Sequence, residues 1–132
     1  MRAYTSRELT NPAELTRLYL DNADVTSEDL PGIVARFPKL KRLSLDGNHI
    51  TDVGPLAGLI NLEYLELTEN QISDVTPLGG LTRLSELDLN DNQISDVGPL
   101  AGLTKLKRLY IARNQITDVG PLSGLMAEIS LN

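Results

Sequence analysis

The leucines of this chain recur with a spacing of 22 residues. Four consecutive segments, beginning at Leu40, Leu62, Leu84 and Leu106, align without a gap and carry apolar residues at the same seven places. In the first segment these places hold Leu40, Leu43, Leu45, Ile50, Val53, Leu56 and Leu59. Neither a helix of period 3.6 nor a strand of period 2 produces this pattern over four copies. The repeat predicts a coil that returns to the same orientation once per copy and stacks its apolar edge on its neighbours.

Each copy predicts a short strand followed by a tight helical turn. The alternation Leu43-Ser44-Leu45 is typical of a strand with residues 43 and 45 inward and residues 42, 44 and 46 outward. The return segment, residues 54–59 in the first copy, suits one turn of helix with proline at a first helical position. In every copy we expect a glycine to leave this turn in the left-handed conformation, at Gly58, Gly80, Gly102 and Gly124. We also expect an aspartate in every copy to accept local backbone N–H bonds, at Asp52, Asp74, Asp96 and Asp118.

An asparagine stands three residues after the second strand leucine of every copy. A turn that folds under the strand buries backbone groups that have no partner in the sheet. A side-chain amide can both donate and accept hydrogen bonds there. Stacked in register, four residues are predicted to form a structural ladder: Asn48, Asn70, Asn92 and Asn114.

The pattern L-x-x-L-x-L-x-x-N-x-I, followed by S/T-D-V-x-P-L-x-G-L, resembles the leucine-rich repeat. It is similar to the 22-residue subclass found in bacterial internalin-like proteins and in a family of phosphatase regulators, and it spans about residues 15–131. The resemblance implies an α/β solenoid, a right-handed arc with a concave parallel β-sheet and short helical turns on the convex side. It also implies that the concave face binds other proteins, whereas a role in phosphatase regulation rests on family analogy alone.

A single leucine-rich-repeat domain is expected over residues 1–132, with irregular ends. Residues 1–14 predict an N-terminal helical cap, since residues 5–8 resemble a helix start and the bare end of an array exposes core. Residues 15–39 predict an irregular first repeat, in which Thr26 and Asp29 cap a helix of about ten residues that ends before Pro38. Residues 40–124 are the regular repeats, and residues 125–132 predict a truncated last strand at Ile129 and Leu131.

Composition and charge disfavour several classes of protein. The chain has no cysteine and one histidine, His49, which exclude disulfides, thiolate metal sites and multi-histidine sites. A net charge of -6 disfavours nucleic acid as a partner. No apolar run approaches the roughly 18 residues that span a membrane, and the N-terminus does not resemble a signal peptide. We therefore expect no membrane partner and a cytoplasmic protein, with signal-independent secretion as the open alternative.

No motif for enzymatic chemistry is present. The sequence contains no GxGxxG, no P-loop and no GxSxG, so we expect no cofactor, no metal and no catalytic residue. A solenoid without a deep cleft also gives little reason for a carboxylate to have a shifted pKa.

The candidate binding residues are the outward strand positions, which differ between copies while the apolar frame stays constant. They are Arg17, Tyr19, Arg42, Tyr64, Glu66, Glu86, Asp88, Arg108 and Tyr110. At these positions and the neighbouring edge positions, the two middle copies contribute acids with no base among them, and the flanking copies contribute bases. Glu66 and Asp88 are predicted neighbours whose repulsion a basic partner would relieve, although a merely solvated acidic face is the alternative. Tyrosines on the same face favour binding, since tyrosine is enriched at interface hot spots.

Two functions remain open on this evidence. The first is a non-enzymatic module that binds a protein or peptide with a basic surface through an acidic, tyrosine-flanked centre of the concave face. The second is a structural or self-assembling scaffold that forms a homodimer through an open C-terminal edge. The nearly identical segments 93–100 and 115–122 favour the scaffold, because they indicate recent duplication or consensus design.

Overall fold

The computed structural model describes residues 11–131 and contains one six-stranded parallel sheet. The strands follow one another in chain order and are β1 (Arg17–Tyr19), β2 (Arg42–Ser44), β3 (Tyr64–Glu66), β4 (Glu86–Asp88), β5 (Arg108–Tyr110) and β6 (Glu128–Ser130). Each pairing aligns equivalent residues, so that Leu43 lies opposite Leu65 and Leu65 opposite Leu87. One repeat therefore advances the chain by one strand, and the predicted solenoid with a parallel sheet is confirmed.

The return segments form short 3₁₀ turns. They are Pro12–Glu14, Ser27–Asp29, Gly54–Gly58, Thr76–Gly80, Gly98–Leu100 and Gly120–Leu122. Proline occupies one of the first two positions of the turns in the regular copies, where its missing N–H costs no hydrogen bond. Asp52 Oδ1 accepts the Gly54 N–H at 2.8 Å, and the equivalent aspartates do the same in the other copies. The predicted role of these aspartates is confirmed.

The first coil contains the one α-helix of the described residues, α1 (Leu30–Arg36). The Thr26 N–H donates to the Asp29 carboxylate at 2.9 Å, and the 3₁₀ turn that begins there continues into α1. Leu30 is fully buried, and Phe37 at the end of the helix packs against the core. The 3₁₀ turn and α1 together span residues 27–36, the length predicted for the capped helix, but only the seven residues of α1 are α-helical. The cap predicted from residues 5–8 lies outside the described residues.

A single apolar core runs along the array. All seven apolar positions are buried in the copies that begin at Leu40, Leu62 and Leu84. Burying a leucine side chain contributes roughly 1.5–3 kcal/mol, so the stacked leucines are the main source of stability. The last coil is less covered: Val119 is 39 % exposed, whereas its counterparts in the three preceding copies are at most 1 % exposed.

The left-handed backbone lies elsewhere than predicted. Positive φ angles occur at Gly47 (68°), Glu69 (57°), Asp91 (56°) and Arg113 (53°), directly before each ladder asparagine. None of the four glycines Gly58, Gly80, Gly102 and Gly124 has a positive φ, so the prediction for them is wrong. The chain leaves its 3₁₀ turns through ordinary backbone, as at Leu59 (φ -87°), and reverses sharply only below the strand.

Candidate binding face

The nine predicted binding residues lie together on the outer face of the sheet, in two rows that cross the strands. The first row comprises Arg17, Arg42, Tyr64, Glu86 and Arg108, and the second comprises Tyr19, Ser44, Glu66, Asp88 and Tyr110. Because neighbouring strands lie about 4.8 Å apart, the six strands extend over about 24 Å. The alternation of each strand keeps these side chains away from the core.

Bases from neighbouring coils reach the acids of the face. Arg108 Nη1 lies 3.4 Å from Glu86 Oε1, and Arg113 Nε donates to Asp91 Oδ1 at 2.6 Å. The hydrogen bond and the positive charge of Arg113 hold the pKa of Asp91 below its usual range. Farther along the row, the Arg42 guanidinium lies 4.3 Å from the centre of the Tyr64 ring. At the outer strand positions and the positions next to them, the two middle copies supply acids without bases, but part of this charge is neutralised by Arg108 and Arg113 of the next coil.

Hydroxyl groups donate hydrogen bonds to the central carboxylates. Ser44 Oγ lies 2.5 Å from Asp21 Oδ1 and 3.1 Å from Glu66 Oε2, and Thr68 Oγ1 donates to Asp88 Oδ1 at 2.5 Å. Ser44 points outward as predicted, but it is fully buried because neighbouring side chains close over it. Hydrogen bonds therefore offset part of the predicted repulsion between Glu66 and Asp88.

A second ladder, which the sequence analysis missed, lies just beyond the strand ends. Asp21 Oδ1 accepts the Asp46 N–H at 2.9 Å, and Asp46 Oδ1 accepts the Thr68 N–H at 2.7 Å. Farther along, Asn90 Oδ1 accepts the Ala112 N–H at 2.7 Å. The sequence feature that could have predicted this ladder is the Asp or Asn that stands two residues after the strand in most copies. These oxygens satisfy backbone donors that the sheet leaves unpaired.

Asp46 is the most perturbed carboxylate of the face. Burial raises the pKa of Asp46 to about 7, and the nearby Asp21, Glu66 and Asp88 carboxylates act in the same direction. The Thr68 N–H opposes this rise by stabilising the ionised form. The absence of a deep cleft gives little reason for a carboxylate to have a shifted pKa, but burial and neighbouring carboxylates supply such a reason at Asp46. The packed row of polar side chains excludes water from the Asp46 carboxylate, so a deep cleft is not needed to shift its pKa.

The ladder asparagines lie on the inner side of the turn. Asn48 Nδ2 donates to the Leu20 and Leu45 carbonyl oxygens at 2.9 and 2.8 Å, and its Oδ1 accepts the Val25 N–H at 2.9 Å. The same pattern of bonds to the coil itself and to the preceding coil recurs at Asn70, Asn92 and Asn114. Each asparagine thereby joins two coils, which is a structural role.

The described residues offer groups suited to recognition. Within residues 11–131, no three histidine or carboxylate side chains are arranged to hold a metal ion. No helix of this range has the length and apolar character that a membrane crossing requires. What the face presents is a set of charges, hydroxyl groups and aromatic rings held on a regular sheet.

Known proteins share this pattern and this architecture. A family model described as Leucine Rich repeats (2 copies) matches residues 38–80 and 82–124. The structure of internalin C2 from Listeria monocytogenes is 40% identical, with a TM-score of 0.82, and the match covers 89% of this chain and 52% of that chain. Internalin F from the same organism is 31% identical, with a TM-score of 0.72 and coverage of 86% and 40%.

A leucine-rich repeat protein from Leptospira interrogans is 30% identical, with a TM-score of 0.65 and coverage of 74% and 26%. The chain thus spans about half the length of internalin C2 and less of the other two proteins. None of the curated proteins matches it.

Proposed function

The chain is an internalin-like member of the leucine-rich repeat family, and we propose that its concave face, the outer face of the six-stranded sheet, binds a protein or peptide partner with a basic surface. The family is in general a non-enzymatic scaffold for protein–protein interaction. The proposal for this chain is an acidic centre at Glu66, Glu86 and Asp88, with tyrosines on either side.

The observation that supports this proposal is the contrast between a constant core and a variable outer face. The core and the asparagine ladder repeat almost unchanged, whereas the two outer rows change from strand to strand. A rigid sheet holds those varied side chains in place, so little conformational entropy is lost when a partner binds. Carboxylates on such a face would mainly accelerate association with a basic partner.

The test is a pull-down from cell lysate at low and moderate salt. The double variant Glu66→Gln/Asp88→Asn removes two charges from the face but keeps oxygens for the hydroxyls of Ser44 and Thr68. The control, Glu28→Gln/Asp118→Asn, removes two charges at exposed positions outside the two rows. We expect a prey that the wild type and the control retain at low salt and that the face variant loses. A prey retained equally by all three proteins contradicts the acidic centre.

A second candidate function is self-association through the last coil. The exposure of Val119 and of Met126, which is 94 % exposed, favours it, as does the edge position of β6. Light scattering over a dilution series should then report a dimer that Ile129→Lys abolishes. The matched control is Ile60→Lys, which places the same charge on an exposed isoleucine of a regular coil. A monomer at every concentration, or equal loss in both variants, contradicts this candidate.

A further inference from the structure

Charges of opposite sign lie along the two edges of the concave face. Since all strands run in the same direction, residues that precede the strands share one edge, the strand-start edge, and residues that follow them share the other, the strand-end edge. The strand-start edge carries Lys39, Lys41, Arg83, Lys105 and Lys107, with Glu63 and Glu14 among them, and Glu14 forms an ion pair with Lys39. The strand-end edge carries Asp21, Asp24, Glu69 and Asp91, with Arg113 among them, and Asp46 adds a full charge only above about pH 7. The face is therefore polarised along its strands as well as across the array.

A notch opens at the strand-start edge above Ser85. A groove of about 550 Å³ is lined by Glu63, Tyr64, Arg83, Ser85, Lys105 and Lys107. A second groove, of about 460 Å³, shares Tyr64, Ser85 and Lys107 with the first and continues it towards Arg108, where Glu86 and Glu128 also line it. The equivalent position in the neighbouring copies holds a glutamate or a lysine. The small serine therefore leaves room between Tyr64 and Lys107.

In the described part of the chain, the cations around this notch are not held in ion pairs with the protein's own acids, although Glu63 lines the same groove. Within residues 11–131, neither Arg83, Lys105 nor Lys107 forms an ion pair, and Arg83 Nη1 donates to the neutral Asn61 side chain at 2.8 Å. Arg108, by contrast, lies within 4 Å of both Glu86 and Glu128. Three exposed cations beside a tyrosine ring form a site that a carboxylate can enter without displacing an existing pair.

We infer that the partner carries a short acidic segment whose carboxylates occupy the notch at Arg83, Lys105 and Lys107, while its basic residues meet the strand-end edge. This inference rests on the proposed function and refines it, since the partner then has both signs of charge. A three-residue strand is about 10 Å long, so a long polyanion in the notch would also lie near the acids of the opposite edge. A peptide with its acids on one side avoids that repulsion.

The experiment uses two short labelled peptides as probes, one of three Glu-Gly units, short enough to stay within the notch, and the other of three Lys-Gly units. Fluorescence anisotropy at low salt gives the affinities, and amide chemical shifts locate the contacts. The variant Lys105→Gln/Lys107→Gln lowers the net charge by two at the notch. The control Arg36→Glu lowers it by the same amount at the end of α1.

We expect the Glu-Gly peptide to shift the amides of residues 83–85 and 105–107. Its binding should weaken about tenfold in the notch variant and hardly change in the control. The Lys-Gly peptide should shift residues 46, 69 and 91 and should not lose affinity in the notch variant. Equal weakening of Glu-Gly binding in both variants, no weakening in either, or shifts outside the notch would overturn the inference.

The two proposals can fail separately. If the Glu-Gly peptide binds as expected and the prey is nevertheless indifferent to Glu66→Gln/Asp88→Asn, the acidic centre is wrong and the notch stands. If the prey behaves as expected and the Glu-Gly peptide does not bind the notch, the acidic segment is wrong. Tighter binding of single-stranded oligothymidylate than of the Glu-Gly peptide would contradict a peptide ligand and indicate a nucleic-acid site.

Discussion

Asp46 offers the sharpest test of the energetics of the binding face. Its burial and the neighbouring carboxylates disfavour its ionised form, while the Thr68 N–H favours it. The substitution Asp46→Asn removes the charge and keeps an oxygen that can accept this N–H bond. We therefore expect Asp46→Asn to raise the free energy of unfolding at neutral pH, although it removes a carboxylate that accepts a hydrogen bond.

The magnitude follows from the rise of the Asp46 pKa from 3.8 to about 7. Each pKa unit corresponds to about 1.4 kcal/mol, so complete conversion would give about 4 kcal/mol. Asp46 is only half-buried, and screening by solvent reduces this to about 1–2 kcal/mol. The native state keeps the proton up to about pH 7, whereas the unfolded chain loses it near its ordinary pKa. Hence the free energy of unfolding should fall as the pH rises from about 4 to about 7.

The assay is urea unfolding, followed by circular dichroism, at pH values between about 4 and 8. Wild type should lose stability across this window, and Asp46→Asn should lose less and be more stable above pH 7. The matched control is Asp74→Asn, because hydrogen bonds from Thr76 lower the pKa of Asp74 and its removal should bring no gain. The reasoning is refuted if Asp46→Asn is no more stable than wild type at pH 8 and keeps the full pH dependence.

Three further substitutions, measured by urea or thermal unfolding, test the asparagine ladder, the left-handed turn and the apolar core. Asn92→Ala should lower the free energy of unfolding by about 2–4 kcal/mol, because one buried N–H and three carbonyl oxygens lose their hydrogen-bond partner. A loss below about 1 kcal/mol would contradict the structural role of the ladder. Gly47→Ala should lower the free energy of unfolding by more than about 1 kcal/mol, because φ is 68° and a Cβ would meet the Asn22 side chain. The control Gly102→Ala should lower it far less, because a Cβ there would enter open space. Leu87→Ala, fully buried at the middle of the sheet, should lower the unfolding free energy by about 3–5 kcal/mol.

The repeat explains why the fold could be predicted so completely. Every coil packs on a near copy of itself, so one correct assignment of inward and outward positions holds for all copies. The pairing of Leu43 with Leu65 follows directly from their separation of one repeat. The helix at the start was equally clear, since the capping residues Thr26 and Asp29 are only three residues apart in sequence and act locally.

The binding face was predictable only in part. Alternation along each strand places the nine candidate residues on the outer face, but it does not say how deeply each one lies. Ser44 is buried by side chains of the coils on either side of it, which are more than 20 residues away in the chain. The pKa of Asp46 depends on neighbours on several coils in the same way. Such properties require the register between coils as well as the pattern within one coil.

The left-handed turn was missed for a different reason. Its four positions hold Gly47, Glu69, Asp91 and Arg113, which share no chemical property that a sequence pattern could reveal. The stacked coils impose this conformation, at a cost for the residues other than glycine. The glycines that recur at a constant position lie at or just after the ends of the 3₁₀ turns, and their recurrence led to the wrong prediction that the left-handed backbone lies there.

Hydrogen bonds between coils always join a residue to the coil one repeat away, as from the Leu45 N–H to the Glu66 carbonyl and from the Leu67 N–H to the Asp88 carbonyl. Duplication or deletion of one whole regular repeat in the gene would restore the backbone bonds between coils, whereas a fraction of a repeat would break them. The length of the face can therefore change during evolution in steps of one strand, about 4.8 Å, without a new core. The near-identity of segments 93–100 and 115–122 is what one such step would leave behind.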